Sequence, residues 1–309
     1  MKIFSPNYSG SVASWGEVKL LHAVQRWLGS VSPTSPFGIG DDCAVLPATK
    51  HRQLITVDPV IYGQHFDHKV SPRDVGAKLL KRNLSDIAAM GGKPTAAVLA
   101  LTLDPRTSLT WLEAFYRGLA ACARSYGVNI VGGDIAQSDD TVAASLTLLG
   151  TVTGSRILTR NGARIGDWIY VTGILGGSLE SGHHFRFTPR LSEGAWLARQ
   201  KSVTAMLDLS DGLAKDIKAL TPTGAMPVIE ASDLPVRRGF DTRAAVSNGE
   251  DYELLFSLAA RTNHERFAHN WKQKFPRTKL TRIGRFEIKA KSGKSALNLE
   301  SYHGFEHLR

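Results

Sequence analysis

Ser71-Pro-Arg-Asp-Val-Gly-Ala-Lys-Leu-Leu-Lys-Arg-Asn-Leu-Ser-Asp-Ile-Ala-Ala-Met-Gly-Gly92 starts as a helix and hands over to a strand. Ser71 offers an N-cap, and Pro72 brings a φ already suited to the first helical position. Val75, Leu79 and Ile87 fall on one face, and Gly91-Gly92 stop the run before an apolar stretch, 95–103, that reads as a strand. Downstream, a helix over 109–126 closed by Gly127 and strands over 128–131 and 143–152 continue the alternation. Upstream, Ser14-Trp-Gly-Glu17 reads as a capping box, with Val18, Leu21, Val24 and Leu28 at helical spacing, which predicts a helix over 15–28; a strand follows at 53–57. After Gly154 the alternation restarts with strands at 169–172, 203–207, 227–230, 252–258 and 280–284. The expected architecture is therefore α+β in two domains, 1–154 and 155–309, in keeping with the length of 309 residues.

Composition excludes several classes. Hydrophobic residues make up 42% and charged residues 21%, which suits a folded globular chain rather than a disordered one. The first residues lack a signal-peptide core, and the longest apolar stretch, 96–103, is too short to span a bilayer, so a cytoplasmic protein without membrane contact is expected. Cys43 and Cys122 form no CxxC pair, which removes a disulfide framework and a zinc site and predicts reduced thiols in packed surroundings. The net charge of +10 would suit nucleic acid, but the basic residues are dispersed and no recognition motif accompanies them; no nucleic-acid partner is expected.

Six short acidic signatures follow one another: Gly38-Ile-Gly-Asp-Asp42, Asp58 with Gly63-Gln-His65-Phe, Asn83-Leu-Ser-Asp86, Gly132-Gly-Asp134, Asp208-Leu-Ser-Asp-Gly212 and Asn248-Gly-Glu-Asp251. Bare carboxylates repel phosphate, so carboxylates spread this widely point to a divalent metal between them and a nucleotide. Mg2+ is the natural ion, a hard cation held by carboxylates together with substrate phosphates. Gly38 and Gly40, and Gly132-Gly133, would let the backbone bend beside Asp41, Asp42 and Asp134. Taken one at a time, each signature is also an ordinary surface turn or helix cap. Asn83-Leu-Ser-Asp-Ile and Asp208-Leu-Ser-Asp-Gly212 echo one another, each before residues suited to a helix. No Walker A loop, Rossmann GxGxxG, HExxH or GxSxG elbow occurs. His65, met alone, reads as structural or solvated.

In this order the segments resemble the thiamine-monophosphate kinase family, within the superfamily that also holds aminoimidazole ribonucleotide synthetase. The likeness runs from Gly38 to Gly304-Phe-Glu-His307 and is carried best by 58–66, 83–91 and 249–254. It implies an aminoimidazole ribonucleotide synthetase-like fold, with N-terminal sheets paired across a homodimer, a C-terminal α/β sandwich and active sites in clefts between domains. It implies ATP-dependent, Mg2+-assisted phosphorylation of thiamine monophosphate to thiamine diphosphate, by direct in-line transfer and without a covalent catalytic residue. By motif, Asp42, Thr56, Asp58, Asp86, Asp134, Asp208 and Asp211 would hold several Mg2+ ions. Tyr116, Gly133, Asp134, Arg160 and Ser210 would contact ATP, and His65, Glu250 and Phe305 would contact the thiamine moiety.

The chain departs from the pattern at four places. Val57 and Pro59 stand where Thr-Asp-Thr is usual, Ile135 replaces Thr, Asn248 replaces Gly, and 177–208 is short. These departures keep open a divergent kinase for another phosphorylated small molecule, or a nucleotide-binding paralogue with weak turnover.

Overall fold

The structure, a computed structural model, describes residues 1–35, 37–39, 43–154, 156–288 and 297–305. The chain divides into two compact units, the first made of Met1–Ile87 and Lys93–Thr151, the second of Ala88–Gly92 and Val152–Arg309. Both are mixed α+β, as the alternating pattern requires.

The first unit contains α1 (Gly16–Leu28), β1 (Gln53–Ile61), α2 (Pro72–Ala89, its last two residues belonging to the second unit), β2 (Gly92–Leu103), α3 (Leu109–Tyr126), β3 (Asn129–Gln137) and β4 (Val142–Val152). Its sheet has the order β1-β4-β2-β3, with β1 antiparallel to β4 and β2 parallel to β3. The Ser108 hydroxyl caps α3 by accepting the Trp111 N–H, and Gly127 closes it in the left-handed region at φ +66°. Leu112, Phe115 and Leu119 on α3 and Leu79, Leu84 and Ile87 on α2 are almost fully buried. The capping box expected at Ser14 does not form. Val12–Ser14 is a 3-10 turn, and the Ser14 hydroxyl donates back to the Ser9 and Ser11 carbonyls, so α1 starts at Gly16 with no side-chain cap.

On β4 the burial alternates strictly along the strand, and on β1 Ile55 and Val57 are 71% and 59% exposed. The sheet thus has one helix-covered face and one open apolar face, to which Val98 of β2 also contributes. β1 is an edge strand, where Pro59 and its missing N–H are tolerated.

The second unit carries β5 (Trp168–Thr172), α4 (His183–Arg186), α5 (Leu191–Arg199), β6 (Val203–Asp208), α6 (Leu213–Leu220), β7 (Ala225–Ile229), α7 (Thr242–Ser247), β8 (Leu254–Leu258), α8 (His264–Lys274) and β9 (Leu280–Ile288). Its sheet, β6-β8-β5-β9-β7, is antiparallel at every pairing. One face packs Val171, Leu207 and Leu255 against Leu213 and Ile217 of α6. The other packs Tyr170, Met206 and Phe256 against Leu197 of α5 and Phe267 and Trp271 of α8. Helices on both faces explain why the internal strand β8 is buried at every position and reads as a continuous apolar run. No helix among the described residues is long and apolar enough to cross a membrane. Of the two thiols, Cys122 is buried as expected, but Cys43 is exposed.

Candidate functional site

Strand alternation sorts the residues of β1. Thr56 and Asp58 point to the helix-covered face, where α2 presents Arg82 and Asp86 one turn apart; Val57 lies on the open face. The Thr56 hydroxyl donates to Asp86 Oδ2 at 2.5 Å. Arg82 sets one nitrogen 3.3 Å from Asp58 Oδ1 and gives another to the Pro59 carbonyl at 2.6 Å. Asn83-Leu-Ser-Asp86 therefore belongs to the interior of α2, with Asn83, Leu84 and Ser85 buried, and does not precede a helix as its counterpart at 208 does. The echo between the two motifs is one of letters rather than of local structure.

Asp134 is exposed on β3, opposite Ala100, with its Oδ1 accepting the Ile135 N–H at 2.9 Å. Gly132-Gly133 make no bend; they are strand residues. A Cβ at Gly133 would fall 2.0 Å from the Leu99 carbonyl oxygen, so close approach of β2, not a turn, requires glycine here. His65 takes the Ile61 N–H on Nδ1 at 3.2 Å, which places its proton on Nε2, and its carbonyl receives the fully buried Lys78. Tyr116 lies in the core of the first unit with its ring 5.9 Å from that of Trp27, and burial raises its pKa. Asp42 lies outside the described residues.

In the second unit three of the expected segments meet. β6 ends at Asp208, which is 5% exposed and pairs with Leu254. The following loop is bonded to the 248–253 loop: Leu209 N–H to the Glu253 carbonyl at 2.8 Å, Glu250 N–H to the Ser210 carbonyl at 2.7 Å and Tyr252 N–H to the Leu209 carbonyl at 2.8 Å. The C-terminal segment joins them through the Phe305 N–H, 2.9 Å from the Asp211 carbonyl, and through Lys215, which reaches Asp211 Oδ2 at 2.9 Å and the Phe305 carbonyl at 2.6 Å. Glycines permit the approach, since a Cβ at Gly249 would stand 2.6 Å from the Ser210 carbonyl oxygen and one at Gly304 the same distance from that of Asp211. Ser210, Asp211, Glu250 and Phe305 are so brought together. Arg160 sits exposed on a neighbouring turn whose Thr159 carbonyl accepts the Met206 N–H of β6 at 3.0 Å.

Around this junction Asp216, Arg190, Glu253, His183 and His184 escaped the motif reading, as did the partners that fix Glu250 and Asp251. Neither Ser210 nor Asp211 caps α6. Instead Asp216, in its first turn, turns back and accepts the N–H groups of Ser210, Asp211 and Gly212 on one oxygen at 3.0, 3.0 and 3.1 Å. Burial nevertheless pushes the Asp216 pKa up to about 6. Glu253 is gripped by Arg190 in a fork, 2.8 and 2.6 Å, and takes the Thr172 hydroxyl at 2.6 Å. Asp251 accepts the Gly176 N–H, and burial pushes its pKa up to about 7. Burial, with Arg237 adding to it, pushes His183 down to about 4, so its imidazole is neutral at pH 7. Glu250 has a left-handed backbone at φ +63°, and its Oε2 faces His184 Nδ1 at 2.8 Å. The one available signal was the density of carboxylates in Glu250-Asp-Tyr-Glu253; their partners lie far away along the chain.

Among the described residues no three carboxylate, histidine or cysteine groups stand close enough to hold a metal ion by themselves. The acidic residues present offer hard oxygen donors of the kind Mg2+ takes together with water and phosphate.

The AIR synthase related protein N-terminal domain model matches residues 40–155. The chain is 37% identical over 251 residues to thiamine-monophosphate kinase of Salmonella typhimurium, covering 72% of this chain and 76% of that protein. It is 31% identical over 327 residues to the Haemophilus influenzae protein of the same name, covering 95% and 98%. Among solved structures, AaThiL complexed with AMPPCP and TMP superposes with a TM-score of 0.69 at 28% identity, covering 96% of this chain and 98% of that one.

Proposed function

The chain belongs to the thiamine-monophosphate kinase family, and from that membership we propose that it transfers the γ-phosphoryl group of ATP to thiamine monophosphate, giving thiamine diphosphate. The observation that carries the reading is the three-way junction of the 209–212 loop, the 248–253 loop and the segment at Phe305, which assembles acidic, hydroxyl and aromatic groups. Phosphoryl transfer asks mainly for positioning and charge neutralisation, and such a set suits it.

Roles follow unit by unit. In the first, Thr56, Asp58 and Asp86, with Asp134 and Asp42, are the Mg2+ ligands; in the second, Asp208 and Asp211. Thr56, Asp58 and Asp86 fit the ion because all three are half-buried oxygen donors tied into one patch of β1 and α2. Magnesium bound to these carboxylates would neutralise charge on the phosphoryl oxygens. Gly133, Asp134, Ser210 and Arg160 contact ATP, Arg160 through a planar fork that matches phosphate; Tyr116 is assigned to ATP with them by motif, although the residue is 3% exposed and its ring packs on Trp27 in the core of the first unit. His65, Glu250 and Phe305 take the thiamine moiety, and half of Phe305 is exposed for stacking.

Val57 leaves the Thr56–Asp86 patch as it is: its side chain is on the open face, so the absent hydroxyl takes nothing from Thr56 and Asp86. That open face, with Ile55, Val57 and Val98, is the surface on which a second copy would pair to form a homodimer, which hides apolar area that a monomer would leave in water. The division into domains 1–154 and 155–309, the first for metal, ATP and dimer contacts, belongs to the same proposal.

Purified protein incubated with ATP, Mg2+ and thiamine monophosphate should yield thiamine diphosphate, separable by chromatography. ADP formed only with some other phosphorylated acceptor would overturn the proposal.

A further inference from the structure

The segment 176–184, at the start of the stretch 177–208 that is short against the family's pattern, is bonded to Glu250-Asp251 through Gly176, Ser178 and His184. Gly176 N–H reaches both oxygens of Asp251 at 2.9 and 3.1 Å. Ser178, fully buried, donates its hydroxyl to the Glu250 carbonyl at 2.6 Å while its own carbonyl accepts the His184 N–H at 3.3 Å. His184 then returns to the same glutamate, Nδ1 to Oε2 at 2.8 Å, and the Tyr252 hydroxyl stands 3.4 Å from the other oxygen. Glu250 is thus fixed at its N–H, its carbonyl and both carboxylate oxygens, in a backbone conformation with φ +63° that a non-glycine residue adopts only when its surroundings enforce it.

From this geometry we infer that His184 is a positioning residue for substrate: it holds the Glu250 carboxylate in the orientation that receives the thiamine moiety. The inference rests on the proposed role of Glu250. His184 is 8% exposed, so its hydrogen bond is shielded from water, and a carboxylate acceptor makes it charge-assisted. Because Glu250 accepts, the imidazole presents Nδ1–H toward it. His184 acts through Glu250 rather than on the phosphates, so its loss should appear in the KM for thiamine monophosphate and leave the nucleotide side unchanged.

The test compares wild type with His184→Ala and His184→Asn, the latter keeping an N–H donor near the Nδ1 position. Initial rates are measured against thiamine monophosphate and, separately, ATP. His184→Ala should raise the KM for thiamine monophosphate about tenfold, with kcat and the KM for ATP within twofold, and His184→Asn should recover most of the loss. An unchanged KM for thiamine monophosphate in His184→Ala overturns the inference. So does a joint fall of kcat and rise of both KM values with a lowered Tm that His184→Asn does not restore, which marks a structural role only. Wild-type protein that forms no thiamine diphosphate at all defeats the parent reading and this inference with it, and is distinguished by the wild-type control.

Discussion

Replacing Arg190 by Met strips Glu253 of its only fork while keeping an apolar stem of similar length. The Glu253 side chain is 3% exposed and that of Arg190 18%, and the two nitrogens sit 2.8 and 2.6 Å from its oxygens. In the variant the carboxylate retains, among the described residues, the Thr172 hydroxyl at 2.6 Å, and the Gly173 backbone approaches so closely that a Cβ there would overlap its Oε1. Breaking a buried pair costs about 3–5 kcal/mol, and the partial exposure of Arg190 sets the expectation at the lower end, about 3 kcal/mol. For a unit of this size that lowers Tm by about 6–12 °C. Adding Glu253→Gln removes the stranded charge and should return about 2 kcal/mol of the loss. Urea unfolding of wild type, both single variants and the double variant completes the cycle. A loss below about 1 kcal/mol in Arg190→Met, or a double variant as unstable as the sum of the singles, would refute the view that this fork neutralises a buried charge.

Other outcomes follow from the same structure. Asp251 and Asp216 have folded pKa values raised to about 7 and about 6 by burial, so the folded chain holds protons that the unfolded chain releases near its ordinary carboxyl value. Their contribution to stability is full below that value and is lost as pH rises through 6 and 7; Asp251→Asn should therefore gain about 1–2 kcal/mol over wild type at pH 8 and almost nothing at pH 4, and a difference in unfolding free energy from urea titrations that is the same at both pH values would contradict this. Asp86→Asn should lower kcat/KM about 100-fold or more with a Tm close to wild type, whereas full activity would remove Asp86 from the ligand set. Val57→Glu places a charge on the open sheet face and should convert the proposed dimer to monomer in sedimentation while the fold survives; a dimer formed equally by wild type and variant would move the interface elsewhere.

Local signals carried most of the fold. Gly127 ends α3 where its backbone freedom predicts, Ser71-Pro72 opens α2, and each strand of both sheets was visible as an apolar or alternating run. Failures came where one local signal met a competing local or tertiary one. Ser14 looked like a cap, but its hydroxyl is drawn into the preceding 3-10 turn, and Gly132-Gly133 looked like a bend because a glycine needed for strand contact is written like one needed for a turn. In the candidate site, the acidic motifs named the loops that meet in the second unit but not what fixes them. Arg190 and Glu253 are 63 residues apart, and His184 and Glu250 66, so no window of sequence contains either pair. Asp216 was closer, yet its carboxylate turns back to serve the preceding loop, which helical spacing gives no reason to suspect.

The most direct test follows the phosphoryl group itself. With ATP labelled at the γ-phosphate, Mg2+ and thiamine monophosphate, the label should appear in thiamine diphosphate in an amount equal to the ADP formed, and none should stay on the protein at any point in turnover. ADP released without labelled thiamine diphosphate would contradict the assignment of the acceptor, and label trapped on the protein would contradict direct transfer.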